Sequence, residues 1–479
     1  MQKTVKENTV YNLIRTLSVI VFPLIRYPYL TRVLEPANFG RISFATSILG
    51  YVTLFSMFGA EIYSVRELSK EDKTSSKYNN IADQVFTITL LTTAVTQAVL
   101  ILLLLFAGRM RQDALIIETV CIPVVFSTLG ADWVNLSRED LKFISLRTVF
   151  FQFVATVLSF VLVRSEKDVL LYAVILGGTT MLTGLSNLIY RQRYGKLRFR
   201  IGKETLEHFK GVFYLFVLLF SQTIFLNLDI TVIGLFRSNA EVGEYSVACN
   251  IYNISSTTIS AISIVIIPKI SDAIEKREDD KVKGLQKFSL QYILTMGIPV
   301  VFGLNLLTDQ IIAIVSGDKY LGAVIPVHIL SGALLVVMFG GAFLGNIVLL
   351  PAKKERVFTF ASIIAAVINT VLNIVFIPFF GCVAAAVTTV ISEFVILCIL
   401  FVRGRREIRI KMPFRSLWQS LAASLSFIPV RFLFSRFLPK AIPVIIFEIL
   451  LDILIYYCLL RLFRNEFVKE FFSTEKNKV

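Results

Sequence analysis

Apolar residues come in runs of about twenty along almost the whole chain, and short polar or basic stretches separate them. A helix rising about 1.5 Å per residue needs roughly twenty apolar residues to cross a hydrocarbon layer. The runs are continuous rather than alternating, which excludes transmembrane β-strands. The pattern predicts about fourteen transmembrane helices, near 10–34, 38–63, 81–107, 114–134, 145–163, 168–189, 211–235, 243–268, 288–307, 323–349, 357–377, 382–402, 416–434 and 441–460. The first run, 11–34, lacks a small-residue cleavage site, so no removed leader is expected. The expected fold class is all-α, polytopic, with short loops and no segment large enough for a separate soluble catalytic domain.

A weak repeat subdivides this pattern. Phe39-Gly40-Arg41-Ile42-Ser43-Phe44-Ala45 follows the first span, and Val242-Gly243-Glu244-Tyr245-Ser246-Val247-Ala248 follows the seventh, about 203 residues later. The offset spans six helices, an even number, so the copies share an orientation and are related by an axis along the membrane normal. The expected organisation is an N-lobe, 1–207 (helices 1–6), a C-lobe, 208–402 (helices 7–12), and 403–479, helices 13–14 with a cytoplasmic tail. Lobes of this kind commonly enclose a central cavity whose access alternates.

Composition agrees with the pattern. Of 479 residues 55% are hydrophobic and 17% charged, too apolar for one water-soluble core. The net charge of +15 would suggest nucleic acid in a soluble chain, but its location gives a different reading. With the N-terminus inside, about 35 Lys and Arg fall in cytoplasmic segments and about 10 in outer ones. The densest clusters are Arg191, Arg193, Lys196, Arg198, Arg200 and Lys203, then Arg403, Arg405, Arg406, Arg409 and Lys411. The charge is a topology signal that places both termini in the cytoplasm, and no basic domain stands clear of the membrane to bind nucleic acid. The five cysteines (Cys121, Cys249, Cys382, Cys398 and Cys458) lie in apolar runs without paired spacing and read as small core residues. No HExxH, Walker or CxxC pattern occurs, so no catalytic residue, metal or cofactor is expected.

Polar side chains within spans are costly and therefore informative. On the first span Asn8, Asn12, Arg15 and Arg26 fall within about 40° of one another, beside Tyr29, and Pro23 and Pro28 can kink the helix. Arg15 can line a cavity or snorkel to headgroups, and Arg26 can line a cavity or form a structural ion pair. On the second span Ser43, Ser47, Gly50 and Glu61 share a face, which close packing also explains. The eighth span is the most polar: Ser246, Asn250, Asn253, Thr257 and Ser260 lie within roughly 80°. Uncharged amides and hydroxyls suit sugar hydroxyls, and interhelical hydrogen bonding is the alternative. Gln222 and Asp229 share a face of the seventh span; Asn369 and Asn373, Thr389 and Glu393, and His328 are further intramembrane polar groups. Arg147 and Asp132 sit at one cytoplasmic end, where a salt bridge or solvation suffices.

Several motifs together resemble the Wzx-type polysaccharide flippases of the multidrug/oligosaccharidyl-lipid/polysaccharide exporter superfamily. They are Pro28-Tyr29-Leu30-Thr31-Arg32-Val33-Leu34 with Phe39-Gly40 and Phe44-Ala45; Gly59-Ala60-Glu61-Ile62-Tyr63-Ser64-Val65-Arg66-Glu67; Ala131-Asp132-Trp133 with Glu139-Asp140-Leu141-Lys142-Phe143-Ile144; residues 226–234 with Val242-Gly243-Glu244-Tyr245; and Asn369, Asn373, Ile377-Pro378, Gly381, Ala384-Ala385-Ala386 and Ser392-Glu393. The resemblance covers residues 8–402. Gln152 stands where related proteins carry a lysine.

The resemblance implies a polyprenyl-diphosphate-linked oligosaccharide as substrate, the repeat unit of an O-antigen, capsule or exopolysaccharide. It is flipped from the cytoplasmic to the outer leaflet of the bacterial inner membrane by ion-coupled alternating access. It also implies H+ or Na+ as coupling ion, contact with membrane lipids, and polysaccharide polymerase and chain-length partners. Alternatives within the superfamily are a peptidoglycan or teichoic lipid-linked precursor flippase and a multidrug or cation antiporter. Against the last, the first span carries arginines and no carboxylate between Thr9 and Leu34, which favours an anionic substrate. The expected site therefore comprises Arg26 and Arg15 for the diphosphate, Asn250, Asn253, Thr257 and Ser260 for the sugar, and Asp229, Glu61 and Glu393 for a gate or ion coupling. Through the repeat, Asp229 occupies the position matching Arg26, so the two are expected to form a charge pair across the lobes.

Overall fold

The structure is a computed structural model that describes residues 5–437 and 442–469. It is helical, with no strand among the described residues. Among the described residues twelve helices are long and apolar enough to cross a membrane: α1 (Val10–Leu68), α2 (Ser76–Phe106), α3 (Ala114–Ser137), α4 (Leu141–Leu162), α5 (Glu166–Tyr194), α6 (Thr205–Phe236), α7 (Asn239–Glu275), α8 (Asp279–Val315), α9 (Asp318–Leu349), α10 (Glu355–Gly404), α11 (Phe414–Phe437) and α12 (Ile442–Leu462). Two are double-length: α1 has 59 residues and α10 has 50. At about 1.5 Å per residue either is more than twice the roughly 30 Å hydrocarbon layer, so each crosses twice, giving the fourteen crossings expected.

Local chemistry sets the two bends. Glu35 leaves the helical region (φ 62°, ψ 166°) immediately before Pro36, whose ring disfavours helical geometry in the preceding residue and which has no N–H to continue the helical hydrogen bonds. Gly381 turns α10 with φ 58° and ψ −138°, a conformation that only a residue without Cβ adopts freely. Helical dihedrals continue through Pro23 and Pro28. Apolar side chains such as Val95, Leu102, Phe106, Phe150 and Phe153 lie on the outside, where hydrocarbon rather than water is their solvent. Cys398 and Cys458 are exposed on such faces rather than in the core, while Cys121 and Cys382 are buried.

The chain forms two compact units, Met1–Gly243 and Glu244–Val479. In the first, α1 packs on α2, α3, α4 and α6, and α3 packs on α5. In the second, α8 is central and touches α7, α9 and α11, while α9 lies against α10 and α11 against α12. The expected cytoplasmic tail reaches residues 470–479, which lie outside the described residues, as do the first four.

The repeat has a physical counterpart within the first unit. A Cβ on Gly40 would meet the carbonyl of Asn239 and the nitrogen of Gly243, and one on Gly243 would meet Pro36. These contacts are reciprocal under the sequence offset, since Pro36 corresponds to Asn239 and Gly40 to Gly243. Residues 36–40 and 239–243 therefore pack on one another self-complementarily, each glycine against the other segment's backbone.

Candidate functional site

In the first unit α1 carries Arg26 about midway along its first crossing, only 8% exposed. Its Nη1 has no hydrogen-bond partner, and Tyr172 of α5 lies within electrostatic reach. Three turns earlier Arg15 is half-buried and donates from Nη2 to Asn12 Oδ1 at 3.3 Å. Glu61, exposed near the end of α1, lies within electrostatic reach of both Arg15 and Asp132. Asp132 accepts two bonds from Arg147, at 2.7 and 3.2 Å, and Arg147 also donates to the carbonyl of Thr183 at 3.1 Å. The expected salt bridge between Arg147 and Asp132 is thus present, and the neighbouring Glu61 feels the repulsion of Asp132 and the attraction of Arg15.

Asp229 is buried on α6, within electrostatic reach of Tyr51. Two residues on, Thr231 donates to Ser47 Oγ at 2.9 Å, which fixes the face that α6 presents to α1. Arg26 and Asp229 both belong to the first unit and make no ion pair with one another in this structure. Tyr29 is a positioning residue for the first crossing, donating to the Val163 carbonyl at 2.7 Å at the end of α4.

In the second unit the polar face of α7 is real and graded. Asn253 and Thr257 are exposed, and Asn250 and Ser260 are half-buried. Thr257 donates to its own helix, to the carbonyl of Asn253 at 2.8 Å. The amides of Asn250 and Asn253 have no hydrogen-bond partner among the described residues. Glu393 on α10 accepts from Tyr252 at 3.3 Å, next to this face. Asn369, Asn373 and Thr388 form a buried network within α10, with Asn373 donating to Asn369 at 2.9 Å and accepting from Thr388. His328 pairs with Asn305 at 3.0 Å.

Two polar features escape the sequence reading. Arg431 on α11 bonds the buried Glu448 of α12 at 3.3 Å, one turn from the buried Asp452. Asp140 gathers Tyr190, Tyr194 and Arg193. Ionisable residues inside apolar runs are the signal for the first of these. The second is not encoded by spacing, because its partners lie some fifty residues away.

Comparison with known proteins places this arrangement. Residues 5–274 match the family described as "Polysaccharide biosynthesis protein". An Escherichia coli (strain K12) protein, a candidate O-antigen transporter by its name, is 22% identical over 410 residues, covering 84% of this chain and 98% of the relative. Among solved structures, "Lipid II flippase MurJ, inward closed conformation" superposes with a TM-score of 0.76 at 16% identity, covering 96% of this chain and 100% of that one. An inward-facing multidrug resistance MATE transporter superposes with a TM-score of 0.59 at 14% identity, covering 84% and 94%. At such identities the two structures show a shared fold alone.

Proposed function

The chain belongs to the polysaccharide biosynthesis protein family, and on that premise we propose that it flips a polyprenyl-diphosphate-linked oligosaccharide from the cytoplasmic to the outer leaflet of a bacterial inner membrane. It is a multi-pass membrane protein of the polysaccharide and O-antigen transport kind, like the Wzx-type flippases its motifs resemble.

Arg26 carries the finer reading. A guanidinium within a membrane crossing costs several kcal/mol, and more where a donor goes unpaired. Arg26 is buried and its Nη1 is unpartnered. The cost is offset when an anion arrives, and a diphosphate presents oxygens spaced for the guanidinium fork. Arg15 would meet the same headgroup nearer the cytoplasmic end. The open amides of Asn250 and Asn253, with Thr257 and Ser260, offer neutral donors and acceptors for sugar hydroxyls. Glu61, Asp229 and Glu393 are the carboxylates available to couple transport to H+ or Na+ by alternating access. Both termini cytoplasmic, lobes meeting at 207/208 and an added helical pair from 403 belong to the same proposal.

The test replaces Arg26. Arg26→Ala should lower surface polysaccharide about tenfold or more, equivalent to roughly 1.4 kcal/mol or more of lost binding, at normal membrane abundance. Arg26→Lys should restore it only in part, because an ammonium lacks the fork. Full activity of the Ala variant would remove Arg26, and with it the diphosphate reading.

A further inference from the structure

The basic stretch between α5 and α6 acts as a topology signal, and solvated arginines would serve that purpose equally well. The structure instead fixes it. The backbone N–H of Arg198 donates to Asp83 Oδ1 at 2.9 Å and that of Arg200 to Thr87 Oγ1 at 2.8 Å. Asp83 and Thr87 are buried, one turn apart on α2, so an extended strap is laid along that helix. On the facing wall Arg138, between α3 and α4, donates to the carbonyl of Lys73 at 3.0 Å. Its guanidinium lies 4.7 Å from the Tyr78 ring and 4.8 Å from the Tyr194 ring. The strap and this wall enclose a cavity of about 580 Å3.

Five cations line it (Arg138, Arg191, Lys196, Arg198 and Arg200) against one carboxylate, Asp83. None of the five forms an ion pair among the described residues, although the adjacent Arg193 is paired with Asp140. Arg138 Nε is buried without a hydrogen-bond partner. Even with the charge of Asp83, whose Oδ1 accepts the strap's backbone N–H, the cavity keeps a net positive charge on groups whose positions are set in advance. Such a site binds an anion with little ordering cost, and guanidinium donors match phosphate oxygens. The apolar side chains Phe199 and Ile201 interleave with Arg198 and Arg200 and are 61% and 69% exposed. Alternating cations and exposed apolar groups mark the level of a membrane interface, where phosphate is carried on lipid.

We propose that this cavity binds a phosphate group borne by a lipid of the adjoining leaflet. Two sources share that chemistry: an anionic phospholipid, and the diphosphate headgroup of an isoprenyl-linked substrate waiting to enter. The site does not depend on what is transported, because it is read from binding alone.

The full chain, purified in a neutral detergent with phosphatidylcholine, is titrated separately with phosphatidylglycerol, farnesyl diphosphate and inorganic diphosphate. Bound ligand is counted by native mass spectrometry and stabilisation is read from the thermal midpoint. Arg198→Gln/Arg200→Gln keeps both backbone ties and should still fold; Lys196→Gln/Arg200→Gln is the second variant, and Lys70→Gln, outside the cavity, is the control. A lipid-borne phosphate should bind wild type and the control, with an apparent Kd about tenfold or more weaker in both double variants. Stabilisation by phosphatidylglycerol assigns the phospholipid. Stabilisation by farnesyl diphosphate that excess phosphatidylglycerol does not displace assigns the substrate headgroup. Equal binding by wild type and both double variants, or binding of inorganic diphosphate with neither lipid, overturns the proposal and leaves the transport reading standing.

Discussion

Arg26 is buried with an unpartnered Nη1, and substitution separates its proposed role in diphosphate binding from its effect on stability. Arg26→Met keeps the length and apolar body of the side chain but removes a buried, partly unsatisfied charge. We expect the purified Met variant to unfold at the same or a higher temperature than wild type while losing polysaccharide export. A lower unfolding temperature would mean that Arg26 holds the crossing together. The Arg147–Asp132 pair gives the opposite lesson, because its members are unequally buried, with side chains 3% and 38% exposed. Removing Asp132 orphans a buried guanidinium, whereas removing Arg147 leaves a carboxylate that water can reach. Asp132→Ala should therefore cost about 2–3 kcal/mol and Arg147→Met about 1 kcal/mol or less, as read by unfolding in detergent. At this scale the sequence discloses which residues are polar inside spans, from position and charge alone. It does not disclose pairing: Arg26 and Asp229 match in the repeat, yet they make no ion pair with one another in this structure, because an offset relates positions along the chain and not contacts in space.

Among the elements, the two bends are legible because their chemistry is local. Pro36 and Gly381 punctuate apolar runs, and the expected spans break at both. The strap on Asp83 and Thr87 is not legible. Its bonds join residues more than a hundred positions apart, and no periodicity in the strap announces them. The reciprocal contact of Gly40 and Gly243 yields a symmetric prediction. Gly40→Ala and Gly243→Ala each drive a Cβ into the opposing copy's backbone, and each should cost about 1–3 kcal/mol. Because both disturb one contact, the double variant should lose less than the sum; strict additivity would contradict a shared interface. Beyond α12, Glu466 bonds Lys287 at 2.7 Å and Gln291 at 2.9 Å. Lys287, then Gln291, hold its carboxyl below the usual range. A depressed carboxyl contributes stability above its ordinary pKa and loses it as pH falls. The segment after α12 should therefore become protease-sensitive below about pH 4, and Glu466→Gln should show that sensitivity at neutral pH.

Across the whole molecule, hydropathy makes the crossings readable, since it reflects solvent rather than specific contacts, and the placement of Lys and Arg yields the expectation of sidedness. The partition into compact units is less readable: α6 packs on α1 and α2, and the boundary falls at Gly243, because helix packing depends on faces that a nearly all-apolar span does not mark. Reporter fusions after Gly202 and after Arg409 should both report the cytoplasm, and a periplasmic signal at either would refute the fourteen-crossing scheme. The central claim concerns the cargo, and reconstitution tests it most directly. The purified chain is placed in vesicles containing a polyprenyl-diphosphate-linked oligosaccharide, and the sugar reaching the opposite leaflet is counted with a membrane-impermeant lectin under a proton gradient and then a sodium gradient. The account predicts translocation well above protein-free vesicles, accelerated by one of the two gradients and lost in Arg26→Ala. Translocation no faster than in protein-free vesicles under either gradient, from protein that remains folded, would contradict it.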